Sequence, residues 1–264
     1  MIERRNIIKL LSERTNVYHS AILTCYSFDP IFFESLFLPS LRTIGVVNVV
    51  VLMEASLYDN LLEDPLYKCH KVLTRNYTLV RQENIHNGVF HPKMTLLFGE
   101  EEGVLMVGSG NLTFSGILNN EEVWNVFHLR GSNSVHYPLL HKAWGYINEL
   151  TTNVSSLIHK QLDWMIEQST WIRENSDDKP VVLSSGEVCS LLFNSSETTI
   201  LYALTTAIRD TKIKTITIVA PFYDSEGSAL KELKNRFSPN TIHCVLDLER
   251  QSAPYDLLKQ ESNH

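Results

Sequence analysis

Short apolar runs alternate with amphipathic segments along most of the chain, which is the pattern of an α/β protein. Apolar and β-branched runs predict strands at 21–28, 46–53, 77–83, 89–98, 103–109 and 122–129. Amphipathic spacing predicts helices over 136–150 and 154–168. Asp29 and Pro30 predict another helix directly after the first strand, because Asp suits the N-cap and Pro the first turn. We therefore expect a central mixed sheet with helices on both faces.

The end of the chain repeats the order of elements near its start. Strand, aromatic-Asp turn, helix and strand follow one another in 21–53 and again in 215–248. This repeat predicts one lobe over 1–172, a linker over 173–195 that begins with a polar stretch, and the start of an apparently incomplete second lobe over 196–264.

Composition and charge narrow the class of protein. With 44% hydrophobic and 20% charged residues, the chain is neither disordered nor collagen-like. A net charge of −7 excludes a polybasic protein that wraps nucleic acid, but it allows a local basic surface. The N-terminus lacks a signal-peptide core, and the most apolar run, 46–53, is too short to span a bilayer. We expect a cytoplasmic protein without a membrane anchor.

The four cysteines are far apart and form no C-x-x-C pair. Cys25, Cys69, Cys189 and Cys244 are therefore expected to be reduced, structural thiols rather than zinc ligands. Together with the chemistry described next, this predicts a site without metal or other cofactor.

The segment 91–124 contains the candidate chemistry. On a strand, His91 and Lys93 would point to the same face. An imidazole can attack phosphorus while a neighbouring ammonium balances the charge of the phosphate oxygens. Glu122 begins a later strand, and its carboxylate is expected to hydrogen-bond His91 and set its tautomer.

A polar, glycine-containing turn lies between these residues. Gly108 and Gly110 would let the backbone approach a ligand, while Ser109 and Asn111 supply neutral hydrogen-bonding groups. His86 lies shortly before the site in sequence and is a candidate substrate contact in a loop. The combination predicts a site for phosphodiester chemistry.

These residues resemble the signature of the phospholipase D superfamily. The matching elements are His91-x-Lys93, Gly108-Ser109-Gly110-Asn111 and Asn120-x-Glu122. The stretch HPKMTLLFGEEEGVLMVGSGNL is especially similar to the first motif of tyrosyl-DNA phosphodiesterases, with which it shares an H-x-K-M-x-L-L core and an E-E-G turn.

Two positions distinguish the branches of the superfamily, and they favour different branches. Phe98 stands where the usual signature has an aspartate, which tyrosyl-DNA phosphodiesterases also lack. Glu122 instead fits the nuclease and phospholipase pattern, because tyrosyl-DNA phosphodiesterases have an amide there. The resemblance therefore places the chain between the two branches.

The resemblance implies a role for each matching residue. His91 would form a covalent phosphohistidine or serve as the paired general acid. Lys93 and Asn111 would bind phosphate oxygens, Ser109 would line the pocket, and Glu122 would orient His91. It also implies that two H-x-K sites meet at one active centre, whereas this sequence has one. Either two chains pair as a homodimer, or the second site belongs to sequence after His264, and both alternatives are open.

The leading functional hypothesis is a metal-independent phosphodiesterase that acts on nucleic acid, most readily DNA, as a nuclease or DNA-end-processing enzyme. The alternatives are a lipid phosphodiesterase and a catalytically degenerate lobe for binding or assembly. A nucleic-acid role predicts a basic groove and aromatic side chains that stack on bases. The candidates are Lys68, Lys71, Arg75, Arg81 and Lys93 for the groove, and Phe114, Trp124 and Tyr137 for stacking.

Overall fold

The computed structural model describes residues 17–65, 76–83, 88–131, 134–173, 180–208, 211–220 and 223–245. The chain divides into two compact units, of which the first ends at Ser196 and the second begins at Glu197. In the described ranges, no helix is long and apolar enough to cross a membrane.

A six-stranded mixed sheet forms the centre of the first unit. Its strands are β1 (Ser20–Cys25), β2 (Asn48–Glu54), β3 (Thr78–Gln82), β4 (Met94–Phe98), β5 (Glu102–Gly108) and β6 (Trp124–Arg130), in the spatial order β3-β2-β1-β4-β5-β6. The first three strands are parallel, and the pairs β1–β4, β4–β5 and β5–β6 are antiparallel. The predicted mixed sheet is confirmed.

Helices cover both faces of this sheet, as the sequence predicts. They are α1 (Pro30–Phe32), a π-helical turn (Phe33–Phe37), α2 (Leu38–Thr43), α3 (Ala55–Glu63), α4 (Tyr137–Leu150) and α5 (Ser156–Glu167). The start of α1 follows its sequence signal, since Asp29 Oδ1 accepts from the backbone N–H of Phe32 at 3.0 Å and Pro30 occupies the first turn.

Each central strand contributes side chains to two hydrophobic cores. In β1 every residue is buried, but Leu23 packs with α1, the π-helical turn and α2, whereas Ile22 packs with α4 and α5. This double burial explains why β1 and β2 are mainly apolar along their whole length rather than alternating.

Strand β4 begins later than the sequence predicts. The predicted strand 89–98 is observed only over Met94–Phe98. The hydroxyl of Thr24 donates to the carbonyl of Pro92 at 3.1 Å and accepts from the N–H of Met94 at 3.0 Å. A side chain thus replaces the backbone ladder beside Pro92, which has no N–H to donate. His91 and Lys93 therefore lie in the segment that leads into β4 and not on the strand.

The predicted linker, 173–195, contributes to the first unit. Its short strands β7 (Val181–Val182) and β8 (Val188–Cys189) pair as an antiparallel hairpin, and Phe193 stacks on Tyr146 with ring centroids 4.3 Å apart. The stacking places the end of this segment against α4.

The second unit contains α6 (Ile200–Ile208), β9 (Thr215–Val219), α7 (Ser228–Phe237) and β10 (Thr241–Val245). Strands β9 and β10 pair in parallel. The predicted order of strand, turn, helix and strand is present here, and the identification of 196–264 as the start of a second phospholipase D-like lobe stays a prediction.

Candidate active site

One edge of the central sheet carries the candidate site. Strands β1, β2 and β5 end at this edge, and the antiparallel strands β4 and β6 begin there. In register, Thr24 pairs with Met94, and Gly108 pairs with Trp124. The edge therefore collects the residues that follow β1, β2 and β5 together with those that precede β4 and β6.

His91 and Lys93 are in direct contact. Lys93 Nζ lies 2.9 Å from His91 Nδ1 and 3.2 Å from Nε2, and it also donates to the backbone carbonyl of His91 at 2.9 Å. A ring nitrogen that accepts a hydrogen bond from an ammonium must itself be unprotonated. The predicted pairing of the two side chains is present, although the residues precede the strand.

Burial lowers the pKa of both side chains, and the charge of Lys93 lowers that of His91 further. Lys93 is only 7% exposed, and removal from water lowers the pKa of its ammonium to about 8, with the charge of Glu122 acting in the opposite direction. The pKa of His91 is lowered by partial desolvation and then by the charge of Lys93, while Glu54 acts in the opposite direction. At neutral pH the site thus presents a neutral imidazole beside an ammonium.

Tyr26 connects this pair to Asn111. Its ring contacts the imidazole of His91 with centroids 4.7 Å apart, and Lys93 Nζ lies 5.9 Å from the centre of the same ring. The carbonyl oxygen of Asn111 accepts from the backbone N–H groups of Tyr26 and Ser27, both at 3.2 Å. Since the carbonyl end is used in this way, the amide nitrogen is the end of Asn111 that can donate to a phosphate oxygen.

Glu122 contacts other residues than the sequence predicts. Its carboxylate accepts from the hydroxyl of Ser109 and, at 3.1 Å, from the amide of Asn120. Ser109 in turn accepts from the N–H of Val123 at 3.0 Å. These contacts differ from the predicted hydrogen bond to His91, because the turn before β6 directs Glu122 towards the end of β5. Glu122 therefore joins Ser109 in a second polar cluster at the same edge.

The glycines of this region make room for protein atoms. A Cβ on Gly108 would lie 2.4 Å from the Trp124 ring, and one on Gly110 would lie 2.3 Å from the carbonyl oxygen of Gly116. A Cβ on Gly116 would in turn lie 2.5 Å from the carbonyl oxygen of Asn111. The sequence predicts Gly108 and Gly110 as ligand contacts, whereas the structure shows that each is needed for close packing of the turn.

The structure describes only some of the remaining positions that the sequence predicts. His86 and the basic candidates Lys68, Lys71 and Arg75 lie outside the described residues. Arg81 forms ion pairs with Asp59 at 3.0 Å and with Glu83 at 2.6 Å, so its charge is paired with carboxylates of the protein itself. Phe98, at the position of the missing aspartate, is fully buried and stacks on Trp171.

The three aromatic candidates for base stacking have different environments. Tyr137 is buried in the core, and Trp124 is partly buried over the glycines. Phe114 is 57% exposed and rests edge-on against Phe32, with centroids 6.2 Å apart. Phe114 is therefore the most exposed of the three rings.

Two residues at this edge were not predicted from the sequence. Tyr26 and Glu54 each lie at the carboxyl end of a parallel strand, where α/β proteins place their ligand-binding groups. A polar or aromatic residue that closes a long apolar run is the signal that identifies such positions. Among the described residues, no three His, Cys, Asp or Glu side chains are grouped so that they could hold a metal ion.

Comparison with solved structures finds several proteins that are similar to part of this chain. NucT from Helicobacter pylori is 18% identical over 55% of this chain and 85% of that protein, with a TM-score of 0.37. Nuc from Salmonella typhimurium, a phospholipase D family member, is 12% identical over 55% of this chain and 86% of that protein, with a TM-score of 0.38.

Yeast tyrosyl-DNA phosphodiesterase is 17% identical over 58% of this chain, with a TM-score of 0.37. The chain spans 37% of the length of that protein. No protein-family model and no curated protein sequence matches the chain.

Proposed function

We propose that the chain is a phosphodiesterase of the phospholipase D type that cleaves nucleic acid through a phosphohistidine and needs no metal ion. The observation that carries the proposal is the contact between Lys93 Nζ and the ring nitrogens of His91, at 2.9 and 3.2 Å. It supplies a nucleophile and a fixed positive charge at one place, so the protein itself provides the cation that balances phosphate charge.

The reaction has two displacements. In the first, a ring nitrogen of His91 attacks phosphorus, a nitrogen–phosphorus bond forms, and the bond to the leaving oxygen breaks with the bonding pair remaining on that oxygen. The leaving oxygen takes a proton from a general acid. In the second, water attacks phosphorus and gives a proton to the same group, now acting as a general base, while the nitrogen–phosphorus bond breaks and a phosphate monoester and free imidazole are released. Lys93 and the amide of Asn111 hold the non-bridging oxygens in both steps.

The general acid belongs to a second site of the same type. It comes either from a second copy of the chain or from a complete second lobe, and the two arrangements predict different oligomeric states of the active enzyme. A dimer in solution that loses activity on dilution supports the first arrangement. An active monomer of a longer chain supports the second.

Nucleic acid is the proposed substrate class. The motif over 91–124 resembles those of nucleases and tyrosyl-DNA phosphodiesterases, and Phe114 presents an exposed ring three residues after Asn111, where it can stack on an unpaired base. Such stacking tolerates any base, so the expected substrate preference is for single-stranded over double-stranded DNA.

The proposal is tested by hydrolysis of DNA and of a bis-aryl phosphate in the presence of a chelator. We expect His91→Ala to reduce the rate by at least about 10³-fold, because the nucleophile is removed. His243→Ala is the matched control, since His243 is exposed in β10 of the second unit, and it should retain the full rate. Trapped protein should carry phosphorus on His91 by mass spectrometry. Full activity of His91→Ala, or a requirement for added Mg²⁺, contradicts the proposal.

A further inference from the structure

A buried carboxylate lies behind the segment that presents His91. Glu54 closes β2, whose preceding residues from Val49 onwards are all buried and apolar, and it is itself 6% exposed. Removing a carboxylate from water is costly unless hydrogen bonds or opposite charges compensate. The contacts of Glu54 therefore indicate what its burial achieves.

Those contacts connect the end of β2 to the residue before His91. Glu54 Oε2 accepts from the backbone N–H of Phe90 at 2.5 Å, and Oε1 accepts from the hydroxyl of Ser56 at 3.3 Å. Helix α3 begins at the next residue, and the N-terminus of a helix favours negative charge. Phe90 is itself buried. The backbone is thus fixed at the position directly before the candidate nucleophile.

Glu54 also acts on the imidazole through its charge. Partial desolvation lowers the pKa of His91 most, Lys93 lowers it further, and Glu54 raises it. The imidazole also contacts the ring of Tyr26. Burial lowers the pKa of Lys93, whereas Cys25 and Glu122 raise it. Because Glu122 is bound by Ser109 and Asn120, it is not the carboxylate that the contacts connect to the His91 segment.

We propose that Glu54 is a positioning residue of this site, which fixes the backbone in front of His91 through Phe90 and supplies the negative charge that offsets Lys93 at the imidazole. The sequence signature of the site does not include this position. The electrostatic part of the proposal is independent of the proposed function, whereas its effect on turnover rests on that function.

The electrostatic part is tested by NMR titration of the histidine rings, with His91 assigned from the spectrum of His91→Ala. Glu54→Gln keeps an acceptor for Phe90 and removes the charge, so we expect the pKa of His91 to fall. Glu63→Gln is the matched control, because it removes the same charge from an exposed position in α3 and should leave that pKa unchanged. Equal pKa values of His91 in the two variants would overturn the proposal.

The positioning part is tested by comparing Glu54→Gln with Glu54→Leu, which leaves the N–H of Phe90 without its acceptor. We expect kcat on a bis-aryl phosphate, per folded molecule, to fall at least about tenfold further in Glu54→Leu, because small displacements of a nucleophile are costly. A purely structural role predicts a smaller folded fraction with unchanged kcat, and that result overturns the positioning part.

Glu54→Asp keeps the experiment decisive if Glu54→Leu does not fold. It retains the charge on a shorter side chain, so His91 should titrate closer to the wild-type protein than to Glu54→Gln. Titration like Glu54→Gln contradicts the proposal. If the wild-type protein shows no phosphodiesterase activity, the proposed function fails, while the titrations still decide the role of Glu54.

Discussion

The two units of the chain contain the same supersecondary unit in different surroundings. In the first, β1 and β2 are parallel and are joined through a helical segment whose start is capped by Asp29. In the second, β9 and β10 are parallel, and Asp224 accepts from the N–H groups of Ser228 and Ala229, at 2.6 and 3.1 Å, at the start of α7. The local pattern of the sequence thus produces the same local structure twice.

The surroundings decide what the repeated unit can do. All six residues of β1 are buried, whereas in β9 exposed and half-buried residues alternate. Beside β1 lies the antiparallel hairpin of β4 and β5, which brings His91, Lys93 and Asn111 to the edge where β1 and β2 end. The repeated unit is therefore a scaffold, and the candidate chemistry comes from the antiparallel strands added to it.

The largest expected difference between the two regions is in stability. Leu23→Ala, at a fully buried position of β1, should cost about 2–5 kcal/mol, and Ile218→Ala, at a half-buried position of β9, about 1 kcal/mol. All four tryptophans lie between residues 124 and 171, so their fluorescence during urea unfolding reports on the first unit. Only Leu23→Ala should shift that transition. A shift of that transition by Ile218→Ala would show that the two units unfold as one.

A smaller and symmetrical effect is expected at the two helix caps. Asp29→Ala should cost about 1 kcal/mol, and Asp224→Ala should weaken the first turn of α7, because each removes an acceptor for N–H groups in a first helical turn. Tryptophan fluorescence measures the first, and amide exchange at Ser228 and Ala229 measures the second. The Asn variants keep an acceptor and serve as controls. A loss at one cap only would contradict the equivalence of the two turns.

The smallest effect is a shift of the pH profile. Activity should rise as His91 loses its proton and fall above pH about 8, where Lys93 becomes neutral. Because Glu122 raises the pKa of Lys93, Glu122→Gln should move the alkaline limb of kcat/KM to lower pH. Glu232→Gln, in the second unit, removes an equal charge and should leave the profile unchanged. An alkaline limb that stays in place would contradict the role of Lys93.

The strands were predictable because their signal is local. The six predicted strands of the first unit are all present, and the cap at Asp29 lies where the sequence places it. The start of β4 was not predictable, because it depends on the hydroxyl of Thr24, which reaches Pro92 and Met94 from a strand that is distant in sequence. No periodicity within 89–98 contains that information.

The candidate site was predictable to the same extent. His91 and Lys93 are near neighbours in sequence, and their contact follows from that spacing. The partner of Glu122 depends on the turn before β6, and the roles of Tyr26 and Glu54 depend on which strands are adjacent in the sheet. Sequence spacing therefore predicted the contact between His91 and Lys93, and sheet topology was needed to find the other residues that lie beside them.

The close packing of Gly108, Gly110 and Gly116 limits how this loop can diversify. Any larger residue at these three positions collides with a ring or a carbonyl group. Most variants in a library that randomises the whole loop would therefore be disrupted. Ser109, Thr113 and Phe114 lie between the glycines and are partly or fully exposed. Engineering of new substrate preferences is best confined to those three side chains.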